Sequence, residues 1–294
     1  MCRELRTVQE SGAGVNEHDQ NSARWSNGIC PAQGINIHYL RSGGKKPSLV
    51  ALHGLMGSGA CLLPLAHGLE HAFDVVLPDA RGHGGSGAPE RGYRYGDLAG
   101  DVIALIQALK IEFPILAGHS MGGMTAAVAA DELGARVKAL VLIDPTFISV
   151  EWQHQVYESD VAAEHQQSLR LTRDQLLNQA RLKHPSRTAE MVESLVDARI
   201  HTSRHAFDVL TPPNPDWREL IRSIRCPTLL LTGDSGVVSI DTARELQKLN
   251  PLFDFEVIRA AGHGLPYDKP AQSSTAVTIF LKKLMATGRG SHPT

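Results

Sequence analysis

A serine flanked by glycines, between a strand pattern and a helix pattern, is the feature that most constrains the fold of this chain. The apolar run 113–117 precedes the serine, and the alanine-rich pattern 121–133 follows it. Ser120 is therefore predicted to lie on a sharp turn, where backbone strain projects its hydroxyl beyond the end of the strand. Larger side chains at Gly118 and Gly122 would collide across such a turn. The segment predicts a nucleophilic serine at the end of a buried strand.

Short apolar runs alternate with helical patterns over most of the 294 residues. The predicted strands are residues 35–40, 48–52, 73–77, 113–117, 137–143, 228–231 and 253–258. This alternation is typical of a mostly parallel sheet with helices on both faces. The stretch 145–223 differs, because it contains helical patterns and no convincing strand. We therefore expect it to form a lid over one edge of the sheet.

The predicted domain organisation has four parts. Residues 28–145 and 224–285 form the α/β core, and residues 146–223 form the helical cap. Residues 1–27 are polar and predicted to be a disordered leader, and 286–294 a frayed tail. The leader lacks the apolar region of a secretory signal, and no run of about 18 apolar residues predicts a membrane span. A cytoplasmic protein that does not bind membranes is expected.

Composition bears on cofactors and partners. The net charge is −2 and the basic residues are scattered, so no nucleic-acid partner is expected. Cys2, Cys30, Cys61 and Cys226 are far apart and have no metal-ligand spacing, which favours reduced thiols in a reducing compartment. No nucleotide-binding loop is visible either. We expect no metal and no cofactor, and the sequence does not predict the oligomeric state.

A serine hydroxyl needs a general base within hydrogen-bond reach to become a nucleophile at neutral pH. His263 is the candidate, because it follows the last predicted strand and lies in a glycine-rich loop. Loops at the C-terminal edge of an open α/β sheet are where active sites lie. His119 lies within the serine turn itself and is predicted to be structural.

An oxyanion formed at the serine would need two backbone N–H donors. Met121 directly follows Ser120 and supplies one candidate N–H. The glycine-rich loop 53–59 follows the strand 48–52, and Leu55 supplies the second. His53 and Gly54 in the same loop are predicted to contribute to substrate binding.

Four segments resemble those of the α/β-hydrolase superfamily in order and spacing: residues 53–54 (HG), 79–86 (DARGHGGS), 118–123 (GHSMGG) and 262–263 (GH). The resemblance covers about residues 28–285 and is greatest to the esterase and lactonase branch that carries a helical lid. It implies a mostly parallel eight-stranded sheet flanked by helices, with the cap inserted after strand 6. Within this frame, Asp79 and Arg81 are interpreted as a charged pair that holds the loop near the oxyanion region.

The sequence does not decide which acidic residue orients His263. In most superfamily members it follows the seventh strand, and the matching position here is Gly236, which cannot serve. Asp144 ends the strand 137–143 directly before a proline and is the favoured candidate. Asp234, close to Gly236, is the alternative.

The predicted reaction is hydrolysis of a carboxylic ester, lactone or thioester of a small hydrophobic substrate, through an acyl-enzyme on Ser120. Phe147, Trp152 and Leu265 are predicted to line its apolar binding site. The alternatives are a C–C bond hydrolase, haloperoxidase or lyase of the same fold, or a ligand-binding receptor that retains the triad.

Overall fold

Nine strands form one sheet in the computed structural model, which describes residues 2–5 and 25–286. They are β1 (Arg3–Leu5), β2 (Ser26–Ala32), β3 (Ile35–Arg41), β4 (Ser48–Leu52), β5 (Asp74–Pro78), β6 (Ile115–His119), β7 (Ala139–Ile143), β8 (Thr228–Ser235) and β9 (Phe253–Gly262). Their spatial order is β1-β2-β3-β5-β4-β6-β7-β8-β9.

Strands β4 to β9 are parallel to one another, and β1, β2 and β3 are antiparallel to their neighbours. Every residue of β5, β6 and β7 is buried, as expected for central strands covered on both faces. The C-terminal ends of β4, β6, β7, β8 and β9 consequently meet at one edge of the sheet.

Helices cover both faces of this sheet. They are α1 (Leu63–His67), α2 (Tyr95–Ala108), α3 (Met121–Leu133), α4 (Val150–Glu158), α5 (Val161–Ser168), α6 (Arg173–Lys183), α7 (Ala189–Ile200), α8 (Trp217–Ser223), α9 (Ile240–Leu249), α10 (Leu265–Asp268) and α11 (Pro270–Ala286). One apolar core joins the sheet to α2, α3, α8 and α9, and the other joins it to α1 and α11. The predicted mostly parallel sheet with flanking helices is confirmed.

Helices α4 to α8 occupy the connection between β7 and β8, where the cap was predicted. Helices α6 and α7 share a small apolar cluster of their own, which includes Leu177 and Val196. Among the described residues, no helix combines the length and apolar character needed to cross a membrane.

The N-terminal region differs from the sequence prediction. Residues 3–5, placed in the predicted leader, pair with β2 as an edge strand, which makes nine strands rather than eight. Such an edge strand is held by backbone hydrogen bonds, which do not depend on the polarity of its side chains. The hydropathy pattern therefore gave no sign of it. Residue 1 and residues 6–24 of the predicted leader, and the predicted tail from residue 287, lie outside the described residues.

The charged pair predicted in the segment 79–86 has different partners from those expected. Arg81 donates two hydrogen bonds of 2.7 Å to Asp101 of α2, and both side chains are buried. Asp79 instead bonds to His38 at 2.8 Å and accepts the N–H groups of Gly59 and Gly85. The two residues therefore hold the loop to separate elements, as their predicted structural role requires, but the prediction that they pair with each other is wrong.

Replacing Arg81 with methionine is expected to destabilise the fold by about 3–5 kcal/mol, because it leaves the Asp101 carboxylate buried without its partner. Urea unfolding followed by circular dichroism measures the loss. The double variant Arg81→Met/Asp101→Leu should regain most of it, because no buried charge remains. A single variant as stable as the wild type would contradict this account.

Candidate active site

Ser120 occupies the turn between β6 and α3, as the glycine pattern predicts. Its φ of +55° lies in a region that residues other than glycine rarely adopt, which is the strain expected at this turn. A Cβ on Gly118 would lie 2.1 Å from the carbonyl oxygen of Gly122, and one on Gly122 would lie 2.4 Å from that of Leu52. Close backbone packing thus excludes larger residues at both positions.

His263 lies directly after β9 and faces Ser120. Its Nε2 atom is 2.9 Å from Ser120 Oγ, and its Nδ1 atom is 2.7 Å from an oxygen of Asp144. Because a carboxylate only accepts, Nδ1 carries the proton and donates it, which leaves Nε2 to accept the serine hydroxyl. The imidazole is 42% exposed, so the site opens to solvent on this side.

Asp144 ends β7 and is completely buried, with 0% of its side chain exposed. Besides His263, its carboxylate accepts the N–H groups of Val237 and Val238 at 2.9 Å each, and the hydroxyl of Thr232 at 3.2 Å. Burial by itself raises the pKa of this carboxyl, but the hydrogen bonds from His263 and the two backbone amides outweigh it. The net effect is a pKa below the ordinary value.

The alternative acid, Asp234, lies apart from the base. It is exposed, and its carboxylate accepts hydrogen bonds from the backbone of Ala260 and Ala261, which lowers its pKa. The side chain therefore fastens β8 to β9. At Gly236, where the resemblance places the usual acid, a Cβ would lie 2.7 Å from Asp144 Oδ1. A glycine at 236 leaves room for the Asp144 carboxylate.

The loop that carries Leu55 lies against the serine turn. A Cβ on Gly54 would lie 3.1 Å from Ser120 Cβ, and the loop is closed by the Gly57 N–H, which donates to the Gly54 carbonyl at 3.0 Å. Met121, on the other side, begins α3, and the first N–H groups of a helix lack partners within the helix. Both predicted donor segments thus flank Ser120.

His53 holds this loop in place. Its Nδ1 atom donates to the Gly54 carbonyl at 2.8 Å, and its Nε2 atom accepts the N–H of Ala80 at 3.0 Å. The ring is buried, and burial lowers its pKa, which favours the neutral form. Since both ring nitrogens already have backbone partners, these contacts fit a positioning residue better than the predicted contact with substrate.

The predicted apolar lining residues have three different environments. Phe147 is buried and stacks on Trp217 with ring centroids 5.8 Å apart. Leu265, the first residue of α10, is fully buried in the core that joins the sheet to α1 and α11. Trp152, on α4 of the cap, is 42% exposed. Packing therefore accounts for Phe147 and Leu265, and only Trp152 presents a substantial apolar surface.

The cap contacts the core on both sides of the serine. At the start of the cap, the N–H of Thr146 donates to the carbonyl of Ser120 at 3.3 Å. Further along the cap, Arg187 pairs with Asp268 at 2.6 Å, five residues beyond His263. The helical segment is therefore tied to the same edge of the sheet as the Ser120–His263 pair.

A cavity of about 30 Å³ lies behind the turn, between the sheet and helices α2 and α3. Leu52, Val102, Met121 and Thr125 are among its lining residues. Ligand sites are usually about 300–1,000 Å³, so this void has room for little more than a water molecule. This void therefore does not provide a substrate site of ordinary size.

His119 has two polar partners that the sequence pattern gives no sign of. Its Nε2 atom donates to the carbonyl of His263 at 2.7 Å, and the Tyr267 hydroxyl is 3.3 Å from its Nδ1 atom. Burial and the neighbouring His263 lower the pKa of His119 to about 3, so the ring is neutral. His119 thereby joins the serine turn to the backbone of the histidine loop.

Comparison with known proteins gives the family. A family model described as the alpha/beta hydrolase fold matches residues 47–270, which is well over half of the chain. The chain therefore belongs to the α/β-hydrolase-fold family, and the predicted family is confirmed.

Individual relatives are similar over nearly their whole length. The chain is 29% identical over 247 residues to an N-formylmaleamate deformylase of Pseudomonas putida, covering 82% of this chain and 91% of that protein. It is 29% identical over 304 residues to the sn-1-specific diacylglycerol lipase ABHD11 of Danio rerio, covering 96% and 92%. The crystal structure of E-2-(acetamidomethylene)succinate hydrolase has a TM-score of 0.77 at 24% identity, covering 88% of this chain and 100% of that one. The matched proteins are hydrolases with different substrates.

Proposed function

We propose that this protein is a serine hydrolase that cleaves a carboxylic ester, lactone or thioester of a small hydrophobic substrate through an acyl-enzyme on Ser120. The observation that carries the proposal is the chain of hydrogen bonds from Ser120 through His263 to Asp144, with distances of 2.9 and 2.7 Å. An activated serine of this kind adds to acyl carbonyl groups.

The first half-reaction would transfer the acyl group. The Ser120 oxygen attacks the carbonyl carbon while His263 Nε2 takes the hydroxyl proton, and the carbonyl electron pair moves to oxygen. The N–H groups of Met121 and Leu55 would stabilise this oxyanion, and Asp144 would stabilise the imidazolium. Collapse of the intermediate expels the alcohol or thiol, which receives its proton from His263.

The second half-reaction would regenerate the serine. Water attacks the acyl-enzyme while His263 Nε2 takes its proton, and the second oxyanion uses the same two N–H donors. Ser120 then leaves with the proton from His263, and a carboxylic acid is released. The exposed side of His263 gives water a route to the reacting carbon.

A hydrophobic substrate is supported by the surface of the cap. Val150, Trp152 and Tyr157 all lie on α4 and are each more than 40% exposed. Apolar side chains that remain outside a core are available to contact an apolar ligand. Two matched proteins are named as acting on esters or lactones, a diacylglycerol lipase and an enol-lactonase.

A trapping experiment tests the proposal directly. The protein is treated with a fluorophosphonate probe and, separately, with a panel of p-nitrophenyl esters, lactones and thioesters. We expect the probe on the peptide that contains Ser120, and turnover of at least one substrate that the probe abolishes. Absence of both labelling and turnover would exclude a serine hydrolase and favour a receptor, whereas labelling of Ser120 without turnover of any ester, lactone or thioester would favour the alternative chemistry.

His119 is expected to position the base through the His263 carbonyl. Replacing His119 with leucine removes that hydrogen bond, and we expect kcat to fall by about 100-fold with little change in KM, because small displacements of a catalytic group are costly. Glutamine can still donate to the carbonyl, so His119→Gln should recover most of the rate. Equal losses in both variants would show that His119 acts only through packing.

A further inference from the structure

The register between β1 and β2 brings two distant cysteines together. Arg3 lies opposite Ile29, and Leu5 lies opposite Asn27 in this antiparallel pair. Cys2 directly precedes β1, and continuing the same register by one step would place it opposite Cys30. Residues directly opposite in an antiparallel pair have Cα atoms about 4.5–5.5 Å apart, within the range of about 4.4–6.8 Å that disulfides span.

The two thiols also share the same surroundings. Cys30 is completely buried in the core that joins the sheet to α2, and the half-buried Cys2 packs against the same core. Burial, and then the hydrogen bond with the Cys2 thiol, raise the pKa of Cys30 to about 12. Cys30 is therefore a protonated thiol at neutral pH, within reach of a more accessible neighbour.

The other two cysteines have different partners. The Cys61 thiol is 3.4 Å from the carbonyl of Ser194 in the cap, and the Cys226 thiol lies beside Thr228. Both are buried and both are free thiols. They serve as internal controls for the reactivity of the pair.

We propose that Cys2 and Cys30 form a redox modification site, at which a small-molecule disulfide such as oxidised glutathione converts the two thiols into an intramolecular disulfide. This bond would fasten β1 to β2 at the edge of the sheet. It would also close the chain from residue 2 to residue 30 into a covalent loop.

The reaction proceeds by two exchanges. The Cys2 thiolate attacks one sulfur of the small disulfide, which forms a mixed disulfide and releases one small thiolate. The Cys30 thiolate then attacks the Cys2 sulfur, which forms the Cys2–Cys30 bond and releases the second small thiolate. The two protein thiols lose two electrons and two protons, and the small disulfide gains them as two thiols.

The second exchange should be slow at neutral pH and accelerate with rising pH. Only the thiolate attacks, and the thiolate fraction of Cys30 increases about tenfold per pH unit below a pKa of about 12. A pair that closes slowly would follow a sustained change in the redox buffer rather than a brief one.

The test equilibrates the full chain in buffers with increasing ratios of oxidised to reduced glutathione. In the oxidising buffers we expect a mass decrease of about 2 Da, loss of two of the four thiols that a maleimide labels in denaturant, and a Cys2–Cys30 linked peptide. Dithiothreitol should reverse all three changes. The linked peptide should form faster at higher pH.

Variants separate the proposed pair from adventitious oxidation. Cys2→Ser removes the half-buried member, which should be tolerated by the fold, and should abolish the mass decrease. Cys226→Ala should leave it intact. Four unmodified thiols in every buffer, a glutathione adduct on Cys2 that persists even at high pH, or a linked peptide containing Cys61 or Cys226 would each overturn the proposal.

Discussion

Replacing Ser120 with alanine is expected to lower kcat on the best p-nitrophenyl ester by about 10⁶-fold, the magnitude measured when a hydrolase of this type loses its nucleophile. The variant keeps the backbone N–H groups and the His263–Asp144 pair, but it has no oxygen to form the acyl-enzyme. Thermal stability should be nearly unchanged, because alanine removes a single oxygen from the turn. Steady-state kinetics measure the fall in kcat, and thermal unfolding followed by circular dichroism measures the stability.

Ser235 provides the matched control. It lies at the end of β8 at the same edge of the sheet, and its hydroxyl donates to the Ala261 carbonyl at 3.1 Å. Ser235→Ala removes the same atom from the same region without touching Ser120 or His263, so activity should stay within about threefold of the wild type. A Ser120→Ala variant that retained more than about 1% of the wild-type activity would exclude the acyl-enzyme mechanism.

The serine turn was predictable because its causes are local. A turn this tight excludes side chains at Gly118 and Gly122, and the structure shows the contacts of 2.1 and 2.4 Å that exclude them. The alternation of apolar runs and helical patterns likewise predicted the parallel sheet, since burial on both faces leaves a continuous apolar run. In both cases the sequence within about a dozen residues determines the structure.

Contacts between distant segments were not predictable in the same way. The pairing of Arg81 with Asp101, and not with the nearby Asp79, depends on where α2 packs against the loop. The hydrogen bond from His119 to the His263 carbonyl joins residues 144 apart in the chain. Sequence spacing carries no information about such partners, because tertiary packing selects them.

The choice between Asp144 and Asp234 shows most clearly what cannot be predicted from the sequence. Both lie at the end of a buried strand at the correct edge of the sheet, and the sequence favours Asp144 without excluding Asp234. The direction of each side chain separates them: Asp144 points toward His263 and the amides of Val237 and Val238, whereas Asp234 bonds to the backbone of β9. That direction follows from the fold of the loop after β8, which the sequence does not specify.

Asp144→Asn is accordingly expected to lower kcat by about 10⁴-fold, while Asp234→Asn should remain within about threefold. An asparagine amide at 144 would donate to Nδ1, which would place the ring proton on Nε2 and prevent that atom from accepting the serine proton. Asp234 is exposed, and its loss would free only the two amides at the end of β9.

The pH dependence gives this comparison a second readout. Because the pKa of Asp144 is held below its ordinary value, this carboxylate stays charged throughout the range in which a histidine titrates. The acid limb of kcat/KM in the wild type should therefore contain no contribution from Asp144, and it should keep its position in Asp234→Asn. Activity that depends on Asp234 and tolerates Asp144→Asn would show that the buried carboxylate serves the fold alone and that the base is oriented by another residue.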